Sequence, residues 1–93
     1  MRTVYKYPLD PPVTEYELPA DCKILCIHEQ DSTVMVWVEL ETESKAPITV
    51  KRFTIVGTGR EIPRGSQYVG TAFIDLMVWH VYKHENGKKE KTT

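Results

Sequence analysis

The stretch Cys22–Glu41, reading CKILCIHEQ, DS, TVMVWVELE, decides the fold. In its second half Val34, Val36, Val38 and Leu40 recur every second residue, with Met35 and Trp37 between them. A period of two is that of a strand, whose side chains leave alternately to opposite faces. The valines are β-branched and suit a pleated surface. Because both sets are apolar, Thr33–Glu41 is predicted to be covered on both faces. Cys22–Gln30 also alternates, with Cys22, Ile24, Cys26 and His28 on one face and Leu25 and Ile27 on the other. Only Asp31-Ser32 separates the two runs, a polar break short enough for a hairpin.

The same alternation recurs on either side. Arg2–Tyr7 is a strand that stops at Pro8, and Leu9-Asp10-Pro11-Pro12 is a turn, since paired prolines cannot continue a ladder. Val13–Leu18 is a second strand, ended by Pro19-Ala20-Asp21. Beyond the polar loop Glu41–Pro47 comes Ile48–Val56, with Thr49, Lys51, Phe53 and Ile55 on one face. Gly57–Gln67 is irregular, and Tyr68–Ile74 and Met77–Tyr82 are closing strands joined by Asp75-Leu76. No helix-period stripe competes with these runs. Seven short strands with turn signals between them predict an all-β chain, a small antiparallel sandwich or partly open barrel. Residues 1–85 are read as one domain and 86–93 as a flexible, lysine-rich tail.

Size and charge narrow the function. Ninety-three residues make one domain with a small core, for which association of copies is a common remedy, so a homo-oligomer is expected. Hydrophobic residues at 41% and charged residues at 27% describe a globular chain. Lys plus Arg at 12 against Asp plus Glu at 13 gives a formal charge of -1, which weighs against a duplex-DNA binder. No apolar run approaches the ~18 residues of a membrane helix, and no leader opens the chain. Cys22 and Cys26, four apart in a strand, lie roughly 13 Å apart. A disulfide needs Cα atoms within about 7 Å, so both thiols are expected to be free, as in a reducing cytoplasm.

The segment Gly57-Thr58-Gly59-Arg60-Glu61-Ile62-Pro63-Arg64-Gly65-Ser66-Gln67 carries the one candidate site. Glycines allow positive φ, and successive N–H groups in such turns form anion-binding nests. Arg60 and Arg64 can each offer a two-pronged hydrogen bond to phosphate. The glycine spacing matches neither a dinucleotide fingerprint nor a Walker loop. The competing reading is a plain connection between strands with solvated arginines. Tyr68, at the loop's end, is placed to stack a base. Tyr5 and Tyr7 share one face of the first strand and form a second aromatic patch. Trp37, Phe53, Phe73 and Trp79 sit mid-strand, the usual place of core aromatics. Cys26 and His28 could both reach a metal, but a closed zinc site needs four ligands and no second pair is visible, so no metal is expected. No spacing joins Cys22, Cys26 or a hydroxyl to His80 as nucleophile and base, so no enzyme is expected.

The ordered set Lys6-Tyr7, Leu9, Leu18-Pro19, Trp37, Phe53, Gly57-Thr58-Gly59, Gly70-Thr71 and His80-Val81-Tyr82 resembles a family of very small proteins of tailed bacteriophages and prophages, one without an assigned function. In scale and pocket chemistry the chain is also similar to anti-CBASS nucleotide sponges. These sequester cyclic dinucleotide immune signals as homo-oligomers and do not cleave them. The resemblance implies a protein of the infected host's cytoplasm that needs no cofactor and whose partner is a cyclic nucleotide. Gly57, Thr58, Gly59, Arg60 and Arg64 would hold phosphate, Thr71 would add a hydroxyl and Tyr68 would stack a base. The alternative is a protein–protein interaction module that inhibits a host enzyme. A single-strand nucleic-acid binder would need a continuous basic groove, against the charge balance.

Overall fold

A computed structural model describes residues 1–88. Seven strands, β1 (Arg2–Leu9), β2 (Val13–Pro19), β3 (Lys23–Gln30), β4 (Thr33–Glu41), β5 (Ile48–Gly57), β6 (Gln67–Ile74) and β7 (Met77–Lys88), form two antiparallel sheets. One sheet has the order β1-β4-β3, the other β2-β5-β7-β6. The predicted all-β class holds. Asp31 and Ser32 both take positive φ (53° and 64°), the mirror-image turn that matches strand twist in a two-residue hairpin.

The core lies between the sheets. Val34, Val36 and Val38 of β4 face Phe53, Ile55, Val81 and Ala72 of the other sheet, with Leu9, Leu18 and Ile27 closing the sides. Met35 is buried and Trp37 half-buried on the far face of β4, so that strand is covered on both sides as its composition predicts. Tyr5, Tyr7 and Tyr16 line the margin between β1 and β2. Tyr7 and Tyr16 have ring centroids 4.8 Å apart, and the Tyr16 hydroxyl donates to the Pro8 carbonyl at 2.5 Å.

Several expectations change. β1 continues through Pro8 to Leu9, because β1 is an edge strand where a missing N–H costs no ladder bond. Cys22, Ile24 and Cys26 do not share a face. A bulge at Leu25 shifts the register between Ile24, opposite Val38, and Cys26, opposite Trp37. One extra residue reverses every later side chain, so Ile27 turns inward to the core while Cys26 and His28 face out beside Trp37. Both cysteines are free, as expected. Phe73 is 69% exposed rather than core. β7 runs on to Lys88, opposite Thr49, so the first residues assigned to the tail belong to the sheet. The remainder, 89–93, lies outside the described residues.

A second bulge, at Val69 between the Tyr68–Tyr82 and Gly70–Val81 pairs, lets β6 bend toward β3. There Gly70 meets Ile27 so closely that a Cβ on the glycine would lie 3.0 Å from Ile27 Cβ and Cγ1. The sheets nearly touch along this margin and form a sandwich with one pinched side.

Candidate functional site

β5 and β6 both pair antiparallel with β7, so they run parallel to each other with β7 between them. The chain must therefore cross β7 between Gly57, opposite Trp79, and Gln67, opposite Lys83. Four residues of strand make that return roughly 13 Å. The inner face is filled by the other sheet, so Thr58–Ser66 crosses on the outer face, over His80, Tyr82 and His84. His84 Nε2 is 3.9 Å from where a Gly65 Cβ would sit. The segment is thus a strap, and the space under it is the candidate site.

The strap begins with a tight turn in which the Arg60 N–H donates to the Gly57 carbonyl at 3.0 Å. Gly59 has φ +88°, a left-handed conformation that a side chain would strain, and its outer side is open. Under the turn lies a depression of about 210 Å³ lined by Val56, Thr58, Arg60, Ile62, His80 and Tyr82, among others. A larger hollow of about 620 Å³ opens on the other side of the turn, lined by Gly57, Thr58, Arg60, Leu76, Met77, Val78 and Trp79. Arg60 and Thr58 belong to both walls. Arg60 is exposed and makes no ion pair or hydrogen bond from its guanidinium among the described residues.

Hydrogen bonds tie the expected residues together through one that sequence reasoning did not assign to the site. His80 Nε2 lies 3.0 Å from Thr58 Oγ1, and its Nδ1 lies 3.2 Å from Thr71 Oγ1. Thr71 Oγ1 is in turn 2.5 Å from the Tyr68 hydroxyl. The chain Thr58–His80–Thr71–Tyr68 thus joins the strap, β7 and β6. A neutral imidazole has one donor and one acceptor, so the chain has a direction. If Thr71 donates to Nδ1, then Nε2–H donates to Thr58, whose own proton is free to point outward. In the reverse sense the free proton is on Tyr68. Either way one end offers an O–H to a ligand. His80 sits opposite both Val56 and Thr71, a cross-strand placement no local signal marks.

The structure groups Gly57, Thr58, Gly59 and Arg60 at the two depressions and links Tyr68 and Thr71 to them through His80. Tyr68 is 59% exposed and meets Tyr82 edge to face, with ring centroids 5.6 Å apart. Arg64 stands outside both depressions. It lies in the exposed turn where Ser66 N and Oγ donate to the Pro63 carbonyl. Of the two arginines expected to hold phosphate, Arg60 lines the depressions and Arg64 does not. Among the described residues no group of His, Cys, Asp and Glu could hold a metal ion, and no helix is long and apolar enough to cross a membrane.

Neither the curated proteins nor the solved structures contain a match to this chain. Residues 1–92 match the family described as a domain of unknown function, DUF7352, so the chain belongs to that family.

Proposed function

We propose that this protein binds a phosphorylated nucleotide of the cyclic dinucleotide type without transforming it, and acts by sequestering it. The observation that carries the reading is the Arg60 guanidinium, unpaired among the described residues and set beside the Thr58 hydroxyl, which hydrogen-bonds to His80, on the rim of a concave surface. A fork of donors suits a phosphate oxygen, and in the tautomer with Nε2–H the Thr58 O–H is free to join it. Tyr82 and Tyr68 stand alongside as ring faces for a base. The reading includes no turnover. His80 Nδ1 meets a threonine hydroxyl rather than a carboxylate, so an imidazolium formed by taking the Thr58 proton would have no counter-charge.

The proposal places the protein in the cytoplasm of a phage-infected bacterium, as an agent against a nucleotide immune signal, on the resemblance given above. A cyclic dinucleotide has two phosphates and two bases, whereas one chain offers one arginine. A homo-oligomer is therefore part of the proposal, since a two-fold axis would duplicate the site.

Isothermal titration with a panel of cyclic nucleotides tests the reading. Arg60→Ala is expected to weaken the bound member about 10- to 100-fold, the value of a hydrogen bond to a charged group. Arg64→Ala is expected to leave it unchanged. No heat with any member removes the proposal. The alternative, a protein-interaction module, draws on the exposed apolar side chains Phe73, Leu76 and Met77 at the β6–β7 hairpin. It predicts that the protein retains a stoichiometric host protein from lysate and no small molecule.

A further inference from the structure

We propose that the apolar hollow walled by Leu76, Met77, Val78 and Trp79 is a second subsite, which takes the planar, uncharged base of the nucleotide whose phosphate lies at Thr58 and Arg60. The proposal rests on the nucleotide reading above and gives this base a place apart from Tyr68 and Tyr82, whose rings remain for the ligand's second base.

Size argues first. The depression beneath the strap holds about 210 Å³, below the ~300–1,000 Å³ of small-molecule pockets, whereas the hollow holds about 620 Å³, within that range. A phosphate fits the smaller space, and the larger one has room for a base. Chemistry argues second. The two spaces share a wall made by Thr58 and Arg60, with His80 on one side and Trp79, Val78, Met77 and Leu76 on the other. A ligand that spans the wall carries its charge at the arginine and a flat apolar body on the tryptophan side, which is the plan of a nucleotide. Gly57 packs on the indole, where its Cβ would lie 3.5 Å from Trp79 Cζ3, so the turn holds the ring as one wall of the hollow.

The hairpin tip argues third. Leu76 is 97% exposed and Met77 51% exposed in a turn whose other central residue, Asp75, has φ +55°. Polar residues and glycine serve such turns, and leucine there gains nothing from the fold of its own chain. Beside the hollow, it gains apolar contact with a bound base, and methionine adapts its shape to one.

Leu76→Ser and Met77→Ser remove exposed side chains and leave the core intact, which circular dichroism verifies. Cyclic di-AMP and cyclic GMP–AMP serve as probes with bases, and ribose 5-phosphate as the probe without one. The expected result is that each variant binds the cyclic dinucleotides about tenfold more weakly and ribose 5-phosphate unchanged. Unchanged cyclic dinucleotide binding in both variants overturns the base subsite and leaves the phosphate site standing. So does equal weakening of all three probes. Weakening that coincides with dissociation of an oligomer in sedimentation assigns the tip to subunit contact and also overturns the subsite. If the unaltered protein binds none of the probes, the nucleotide reading falls and the subsite falls with it.

Discussion

Gly70→Ala tests the pinched side of the sandwich. Carbon atoms in contact prefer about 3.5–4.0 Å. The new methyl would lie 3.0 Å from both Ile27 Cβ and Cγ1, and 3.8 Å from Ile27 N, so relief requires about half an ångström or more. Ile27 cannot easily provide it. It is 5% exposed, β-branched and stiff at χ1, and its backbone is held in the ladder opposite Val36. Overpacking of this kind costs about 1–3 kcal/mol. Gly70 has no positive φ, so alanine recovers about 0.4–1 kcal/mol by restricting the unfolded chain. The net expectation is a loss of about 1–2 kcal/mol. For a domain of this size, that lowers Tm by about 4–16 °C.

Urea titration followed by tryptophan fluorescence, with a thermal melt beside it, measures the loss. A double-mutant cycle isolates the contact. Ile27→Ala alone should cost about 2–5 kcal/mol. The double variant should cost less than the sum by about 0.5 kcal/mol or more, because the Cγ1 clash has gone. Unchanged or raised stability in Gly70→Ala would refute the tight approach of β6 to β3. Additivity in the cycle would refute Ile27 as the neighbour that cannot yield.

The two halves of the Lys51–Glu85 bridge should respond with different signs. Lys51 is 4% exposed in its side chain and Glu85 43%, with Nζ and Oε2 2.6 Å apart. Glu85→Gln leaves a buried ammonium without its counter-charge, and should cost about 1–3 kcal/mol in urea titration, less than for a wholly buried pair. Lys51→Met places an apolar side chain in the same space and frees Glu85 to water, so its stability should match or exceed the parent's; a loss above about 2 kcal/mol contradicts this. The hydrogen bond from Lys51 holds the Glu85 carboxyl below the usual carboxylate range. The folded state thus binds that proton more weakly than the unfolded one. The bridge's contribution is complete above the ordinary carboxylate range and lost as pH falls through the lowered folded value. An acid-unfolding curve should therefore lose part of its steepness in Glu85→Gln, and an unaltered curve counts against the bridge. Burial pushes the Cys22 thiol up. Its alkylation by iodoacetamide should be slow at neutral pH and quicken as pH rises, read by peptide mass spectrometry; rapid neutral reaction contradicts the burial.

The alternation in Thr33–Glu41, the two-residue break at Asp31-Ser32 and the proline-marked ends by themselves determine seven strands, an all-β class and most of the core. These are local properties, because a strand's two faces are written every second residue. The single face read for Cys22, Ile24, Cys26 and His28 fails after Ile24, since the Leu25 bulge inserts a residue and reverses the faces without leaving a compositional trace. Glycines and arginines at 57–65 mark the strap in the sequence, but not what lies under it. Tertiary structure alone places β6 outside β7, which sends the strap across the outer face, joins Thr58 to His80 and leaves Arg64 outside both depressions. Strand order is a long-range choice made by packing two whole sheets together. The residue that binds the site together, His80, therefore has its neighbours assigned by pairing partners far away in the chain rather than by its own surroundings in sequence.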